Sequence, residues 1–264
     1  MLMEDVLKHP SRVLSKAQRK QFFDDGCLVV EGLVADQWLE RLHAAMDANV
    51  EASRTAIEND THFVLETGHS AQTPRLRRLT SPVSHHRDFW AFASESVSAD
   101  VAADVCGPDV KFHHSKLNFK WPKGGQQFDW HQDIQSWPHT DYSPVTVGVY
   151  LEDVGLQQGP LKAIRGSHLA PLYSMYDEHG NWVLRIPEDK LPTDWRERET
   201  ALVGSAGSLI LLSCRVIHGS AGNESERMRP LLLNVYSSAD SMPYSANPIP
   251  SEFAGVIVRG RPAR

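Results

Sequence analysis

The sequence predicts a mainly β fold with flanking helices, its strands closing into a sandwich, jelly roll or barrel. Three observations point there. From residue 110 onward the chain breaks into short segments rich in β-branched and aromatic residues, punctuated by Gly, Pro, Asn and Asp. Before that point apolar residues recur at helical spacing instead. The 264 residues, 41% hydrophobic and 23% charged, show no repeat, low-complexity segment or linker. They are therefore expected to form a single domain, 1–264: a helical part at about 1–108, a β core at about 109–240 and an insertion at about 170–200.

In the helical part, "SKAQRKQFFDD" (15–25) begins on Ser15, an N-cap, and stops at Gly26, which tolerates the left-handed conformation that ends helices. "CLVVEG" (27–32) reads as a short buried strand. Asp36 reads as the cap of a helix through "QWLERLHAAMDANVEA", where Trp38, Leu39, Leu42, Ala45 and Met46 recur on one face. Residues 87–105 are helical and end before Gly107-Pro108. The strands expected next are "VKFHHSKLNFKW", "VTVGVYLEDV", "PLKAIRG", "SLILLSC", "VIHGS" and "PLLLNVYSS". Residues 170–200 between them are polar and contain proline and tryptophan, the composition of a binding loop or lid.

The totals exclude several classes of function. A net charge of −6 argues against nucleic acid as partner. Arg75, Arg77 and Arg78 form a small basic cluster, read as a solvated face or a local anion contact in a loop. Cys27, Cys106 and Cys214 are odd in number and form no CxxC pair, against a disulfide scaffold or a cysteine zinc site. No apolar run has the length of a membrane span, and the charged start "MLMEDVLKHPSRVLSKAQRK" lacks the apolar core of a secretory signal. A cytoplasmic protein acting on a small molecule is expected.

The chemistry concentrates at "DWHQDIQ" (129–135). On extended backbone, residues i and i+2 face the same side, so His131 and Asp133 would point together into one interior with Gln132 turned away. A histidine and a carboxylate leave room for one more protein ligand, the composition of a 2-His-1-carboxylate facial site for non-haem Fe(II). Alone, this pattern is weak and more often marks a polar strand edge than a metal site. His218, at the end of the apolar strand in "SLILLSCRVIHGSAGN", is the candidate third ligand; the alternative is a surface histidine opening a Gly-Ser turn. Arg229 stands eleven residues later at the head of "PLLLNVY". An arginine there is hard to explain as packing and easy to explain as a fork for the carboxylate of a bound acid. Arg227 is its nearest rival.

The ordered set of HxD, a histidine 85 residues on and an arginine eleven later resembles the phytanoyl-CoA dioxygenase family of Fe(II)/2-oxoglutarate oxygenases, in its ectoine-hydroxylase-like branch. "LSKAQRKQFFDDGCLVVEGLV", "SKLNFKWP", "VYLEDVGLQQGPLKAIRGSH" and "GSAGSLILLSCRVIHGSAGN" are similar to family segments, so the resemblance spans about residues 15–237. It implies a double-stranded β-helix, a jelly-roll and cupin-like core. It implies Fe(II) on His131, Asp133 and His218, with 2-oxoglutarate and O2 as co-substrates and Arg229 pairing with the distal carboxylate of 2-oxoglutarate. Asn118 and Ser220 match positions that hold the co-substrate, and Trp137 matches an aromatic near the substrate. Lys116 stands where ectoine hydroxylases place arginine, and Leu233 where an aromatic would be expected; both depart from an ectoine site. The implied reaction hydroxylates an aliphatic carbon of a small metabolite, an amino-acid derivative or natural-product intermediate, releasing succinate and CO2. Related halogenases lack the carboxylate that Asp133 supplies, so hydroxylation is expected rather than chlorination. A cupin-like metalloenzyme that does not use 2-oxoglutarate and a non-catalytic binding module are the alternatives.

Other residues take lesser expectations. Tyr150 is a candidate hydrogen-bond partner for the bound acid, and Gln132 a substrate-side candidate beside the ligands. His113 and His114 are adjacent, so a strand would turn at most one inward. His168 is expected to orient loop backbone, and His85, His86 and His139 to be solvated. Lys120 and Trp121 either flank the pocket or pack in the strand. Cys214 is expected to behave as a small buried hydrophobe.

Overall fold

The computed structural model describes residues 3–263, and the extreme ends of the expected 1–264 unit lie outside the described residues. Its first part alternates helices and short strands: α1 (Met3–Lys8), α2 (Lys16–Asp25), β1 (Cys27–Val30), α3 (Asp36–Ala52), β2 (Phe63–Leu65), β3 (Leu76–Thr80), α4 (Arg87–Glu95) and α5 (Val97–Cys106). Ser15 caps α2 in a full capping box with Gln18, and Gly26 ends that helix at φ 76°. Asp36 is not the cap of α3. The N-cap is Ala35, which makes no side-chain cap bond, and Asp36 is the first helical residue, where its carboxylate meets the positive end of the helix dipole. The helical stretch from residue 87 is two helices, because Ser96 is extended (ψ 179°) and caps α5 through its hydroxyl. The arginine cluster is not a loop: Arg77 and Arg78 lie in β3.

The second part is nearly all strand: β4 (Val110–Lys120), β5 (Phe128–His131), β6 (Val145–Tyr150), β7 (Leu161–Ile164), a four-residue α6 (Trp195–Arg198), β8 (Glu199–Leu202), β9 (Leu209–Ser213), β10 (His218–Ser220), β11 (Arg229–Ser238) and β12 (Ile257–Arg259). Two antiparallel sheets result. The large one runs β1-β9-β6-β11-β4-β3-β2 with β12 added on β4, and the small one runs β5-β10-β7-β8. This is the jelly-roll arrangement expected.

Alternation along the large sheet separates two interiors. Val145, Val147, Val149, Leu209, Leu211, Leu117, Phe119 and Leu232 face α3, α4 and α5, packing against Leu42, Phe89, Phe92 and Val101. The intervening residues Tyr150, Ile210, Leu212, Leu231 and Leu233 face the other way, toward Leu161, Ala163 and Leu202 of the small sheet. The helices thus occupy one face of the large sheet, and the space between the two sheets is left for a cavity. The 170–200 segment is less polar in effect than its composition suggests. Met175, Ile186, Leu191 and Trp195 are buried with Ile164 and Ile217, so it is pinned to the small sheet by a core of its own. No described helix is long and apolar enough to cross a membrane.

Candidate active site

Three side chains from two neighbouring strands converge between the sheets. His131, last residue of β5, lies directly across from His218, first residue of β10. Gln132 continues extended (φ −121°, ψ 124°), and Asp133 then opens a short 3-10 turn. The i, i+2 reading therefore holds through Gln132, with Asp133 placed by the turn rather than by a longer strand. His131 Nε2 lies 3.7 Å from Asp133 Oδ1, and His218 Nε2 lies 3.9 Å from Oδ2. One ligand atom from each residue falls within 4.8 Å of the others, and all three residues are buried.

Both imidazoles are oriented for a metal. His131 Nδ1–H donates to the Asp129 carbonyl at 2.7 Å, and His218 Nδ1–H to the Val216 carbonyl at 3.1 Å. Each uses the carbonyl two residues before it, which fixes the tautomer and leaves an Nε2 lone pair aimed at the shared point. Burial, and after it the neighbouring His218, pushes His131 well below its ordinary pKa, so the ring is neutral and free to ligate. For Asp133, burial favours the neutral acid, but Lys116, His218 and His131 outweigh it and keep the carboxylate ionised. Thr146 donates to its Oδ2 at 3.4 Å. The donor set and its geometry fit a divalent first-row metal. Gly219 permits the crowding: a Cβ there would sit 2.8 Å from the Phe128 carbonyl, so no side chain fits between the β10 histidine and β5.

A cavity of about 450 Å³ opens from these ligands and extends to Arg229. Arg229 is 1% exposed, and its Nε and Nη1 have no hydrogen-bond partner. A buried guanidinium with two free donors is a vacant fork for a carboxylate. Arg227, its rival in the sequence, is exposed and does not line the cavity. Lys120 is the strand partner of Arg229 and fully buried, its amino group donating to Ser220 Oγ at 2.8 Å and to the Ala221 carbonyl. Burial, then the adjacent Arg229, lowers its pKa to about 6.

Of the remaining candidates, Asn118, Ser220, Trp137 and Lys116 line the cavity. Tyr150 and Gln132 do not. Tyr150 donates its hydroxyl to the Leu202 carbonyl and accepts from the Leu161 amide, so it ties β6 to the small sheet. Gln132 donates to the Arg215 carbonyl and accepts from the Tyr173 amide, fastening the metal-site turn to the 170–200 segment. Among the polar cavity residues that the sequence reading did not assign to the site are Arg78, Thr146 and Gln135. Arg78 reaches the cavity because β3 pairs with β4 in a register that sets it against Asn118, whose Oδ1 accepts from Arg78 Nε at 3.1 Å.

The expectation for His113 and His114 also changes. A bulge opposite Val235 and Tyr236 inserts His113 as an extra residue, so both rings are buried and their Nδ1 atoms lie 2.5 Å apart. His139 is buried against His113 and Trp137, not solvated. His85 is exposed and His86 half-buried, while His168 Nε2 meets the Phe23 carbonyl as a loop-orienting residue should. Trp121 caps the Leu76 carbonyl, and Cys214 is buried and free.

Comparison with known proteins agrees with this geometry. Residues 22–231 match the family model described as phytanoyl-CoA dioxygenase (PhyH). The chain is 26% identical over 251 residues to a probable alpha-ketoglutarate-dependent hypophosphite dioxygenase of Stutzerimonas stutzeri, covering 92% of this chain and 86% of the relative. It is 28% identical over 242 residues to the ectoine dioxygenase of Sphingopyxis alaskensis, covering 86% of this chain and 77% of the relative. The crystal structure of EctD from S. alaskensis with 2-oxoglutarate and 5-hydroxyectoine superposes with a TM-score of 0.73 at 26% identity, covering 98% of this chain and 89% of that one.

Proposed function

The chain belongs to the phytanoyl-CoA dioxygenase family, and from that premise we propose that it is an Fe(II)- and 2-oxoglutarate-dependent dioxygenase that hydroxylates a small metabolite at an aliphatic carbon. The balanced reaction is R–H + 2-oxoglutarate + O2 → R–OH + succinate + CO2. The observation that carries this reading is the pairing, in one cavity, of a three-ligand cluster with a buried arginine whose donors are unused.

His131, Asp133 and His218, which line the cavity, would hold the iron. Bound there, ferrous iron supplies the activation of O2 that the protein's own groups cannot. The chain's contribution is to bind, orient and exclude water. Arg229 pairs with the distal carboxylate of 2-oxoglutarate, and Ser220, held by Lys120, lies beside it as a hydroxyl partner. Asn118 lines the span between Arg229 and the metal ligands. Leu212, Leu231, Leu233 and Trp137 give the cavity an apolar wall, which keeps water from the reacting carbon. Tyr176, Trp182 and Leu184 of the 170–200 segment also line the cavity and are exposed. The relatives are named for ectoine and hypophosphite, both compact polar molecules, and a cavity of this size suits a substrate of that scale beside the co-substrate.

A metalloenzyme that does not use a keto acid would leave the Arg229 guanidinium buried without purpose, and that separates the two readings. Anaerobic loading with Fe(II) and 2-oxoglutarate, followed by admission of O2 with a metabolite panel, should release succinate stoichiometrically with product. Release should vanish in His131→Ala, Asp133→Ala and His218→Ala. Turnover of any panel member without 2-oxoglutarate would refute the proposal.

A further inference from the structure

We propose that the substrate is a compact anion, and that Arg78 and Lys116 bind its carboxylate or phosphorus-oxyanion group. The inference rests on the iron and 2-oxoglutarate reading above and names the substrate class for that site.

The geometry begins with the β3–β4 pair. Arg78 is set opposite Asn118, and Thr80 opposite Lys116. Arg78 and Lys116 are therefore diagonal neighbours on the inner face of two adjacent strands, close enough for long side chains to share a ligand. Both line the cavity that holds the metal ligands. Neither makes an ion pair among the described residues. Arg78 spends one donor on the neutral amide oxygen of Asn118, and the Lys116 side chain makes no hydrogen bond among the described residues.

Charge balance then argues for an anionic guest. Asp133 is the one carboxylate among the described residues lining the cavity, against Arg78, Lys116 and Arg229. Ferrous iron and dianionic 2-oxoglutarate cancel, and Asp133 offsets one cation, so two positive charges are left over. Burial first, and Arg78 after it, push Lys116 below its ordinary pKa against the pull of Asp133; burial, then Arg77, does the same to Arg78. Arg78 and Lys116 are half-buried, and two adjacent like charges partly withdrawn from water are unfavourable until an anion joins them. The same face continues from Asn118 and Lys116 onto β11 as their cross-strand partners Leu231 and Leu233, and Leu212 and Trp137 add further apolar lining, so the guest has a charged group at the β3–β4 side and a short, weakly polar body.

The test uses the full chain loaded with Mn(II) and N-oxalylglycine, a non-reacting analogue of 2-oxoglutarate. Probes are propionate, hypophosphite, propionamide and propylammonium, followed by paramagnetic relaxation of their protons by Mn(II). At least one of the two anions should show relaxation at concentrations at least tenfold below those needed for the amide or the ammonium. Which one responds separates the carboxylate from the phosphorus oxyanion. Lys116→Met and Arg78→Met should weaken that anion tenfold or more. Lys116→Arg should retain it, and N-oxalylglycine affinity should stay within threefold of wild type in all three. Equal response to the neutral amide would overturn the inference. So would variants that lose N-oxalylglycine instead of the probe, since the two cations would then belong to the keto-acid end of the co-substrate. If the wild-type protein fails to bind Mn(II) with N-oxalylglycine, the iron and 2-oxoglutarate reading itself falls, and this inference with it.

Discussion

Replacing Arg229 with methionine should move stability and ligand binding in opposite directions. In the free protein the guanidinium is 1% exposed, two of its nitrogens lack partners, and Lys120 is its cross-strand neighbour. Removing an unpaired buried charge for an apolar chain of similar length should stabilise the unliganded protein by about 1–3 kcal/mol, roughly 2–8 °C in melting temperature. The same change deletes two charge-assisted hydrogen bonds to the distal carboxylate of 2-oxoglutarate. That costs about 3–4 kcal/mol, roughly 10²- to 10³-fold in Kd. Thermal melting with metal, at a 2-oxoglutarate concentration about 100 times the wild-type Kd, reads both effects. The wild type should gain about 2.7 kcal/mol from ligand, and Arg229→Met almost nothing. A variant that melts lower than wild type when free, yet keeps the full ligand-induced rise, would refute the assignment of Arg229 as an anchor.

Three further outcomes follow from the same coordinates. Gly219→Ala forces a Cβ to 2.8 Å from the Phe128 carbonyl, so β10 must separate from β5 and carry His218 away from His131; titration with Fe(II) or Mn(II) under anaerobic conditions should show metal affinity at least tenfold weaker. Lys120, with its pKa lowered to about 6 in the fold, is deprotonated natively while the unfolded chain still binds the proton. Stability should therefore rise with pH between about 6 and the ordinary lysine value, by up to about 1.4 kcal/mol per pH unit from this residue. Denaturant melts at pH 7 and 9 should show that slope reduced in Lys120→Met. Asp104 is 2% exposed and accepts the amides of Arg12, Val13 and Leu14 at 2.6, 2.9 and 2.7 Å. Asp104→Ala orphans three backbone donors and should cost about 3 kcal/mol or more, seen as a lower denaturation midpoint and faster amide exchange at residues 12–14.

The strands and the cluster of His131, Asp133 and His218 were legible because they follow short-range rules. Period-two alternation marked the large sheet, and HxD with a histidine after an apolar strand marked a site that needs only local backbone on each side. Arg229 stood out because an arginine inside an apolar run calls for a partner. What escaped depends on pairing between distant segments. Nothing near Arg78 marks it as different from Arg75 or Arg77; only the register of β3 on β4 turns it inward. The bulge at His113 has no signature in "KFHHSK", yet it puts two rings where alternation permits one. Gln132 and Tyr150 lie next to site residues in sequence, and their polar atoms are consumed by backbone groups of other segments. Sequence proximity to a site does not tell which way a polar side chain is already committed.

The proposed metal ligands and the proposed carboxylate anchor belong to different layers. His131 and His218 come from the small sheet, with Asp133 just past its β5 edge, whereas Arg229 heads β11 of the large sheet. A dicarboxylic acid gripped at one end by the metal and at the other by Arg229 would act as a further brace between two leaves that otherwise meet through side-chain packing and the hydrogen bonds of Tyr150 and Lys120. Loading should then slow hydrogen exchange in β10 and β11 together, although neither strand pairs with the other, and the enzyme should be stiffest when its co-substrate is in place and ready to be consumed.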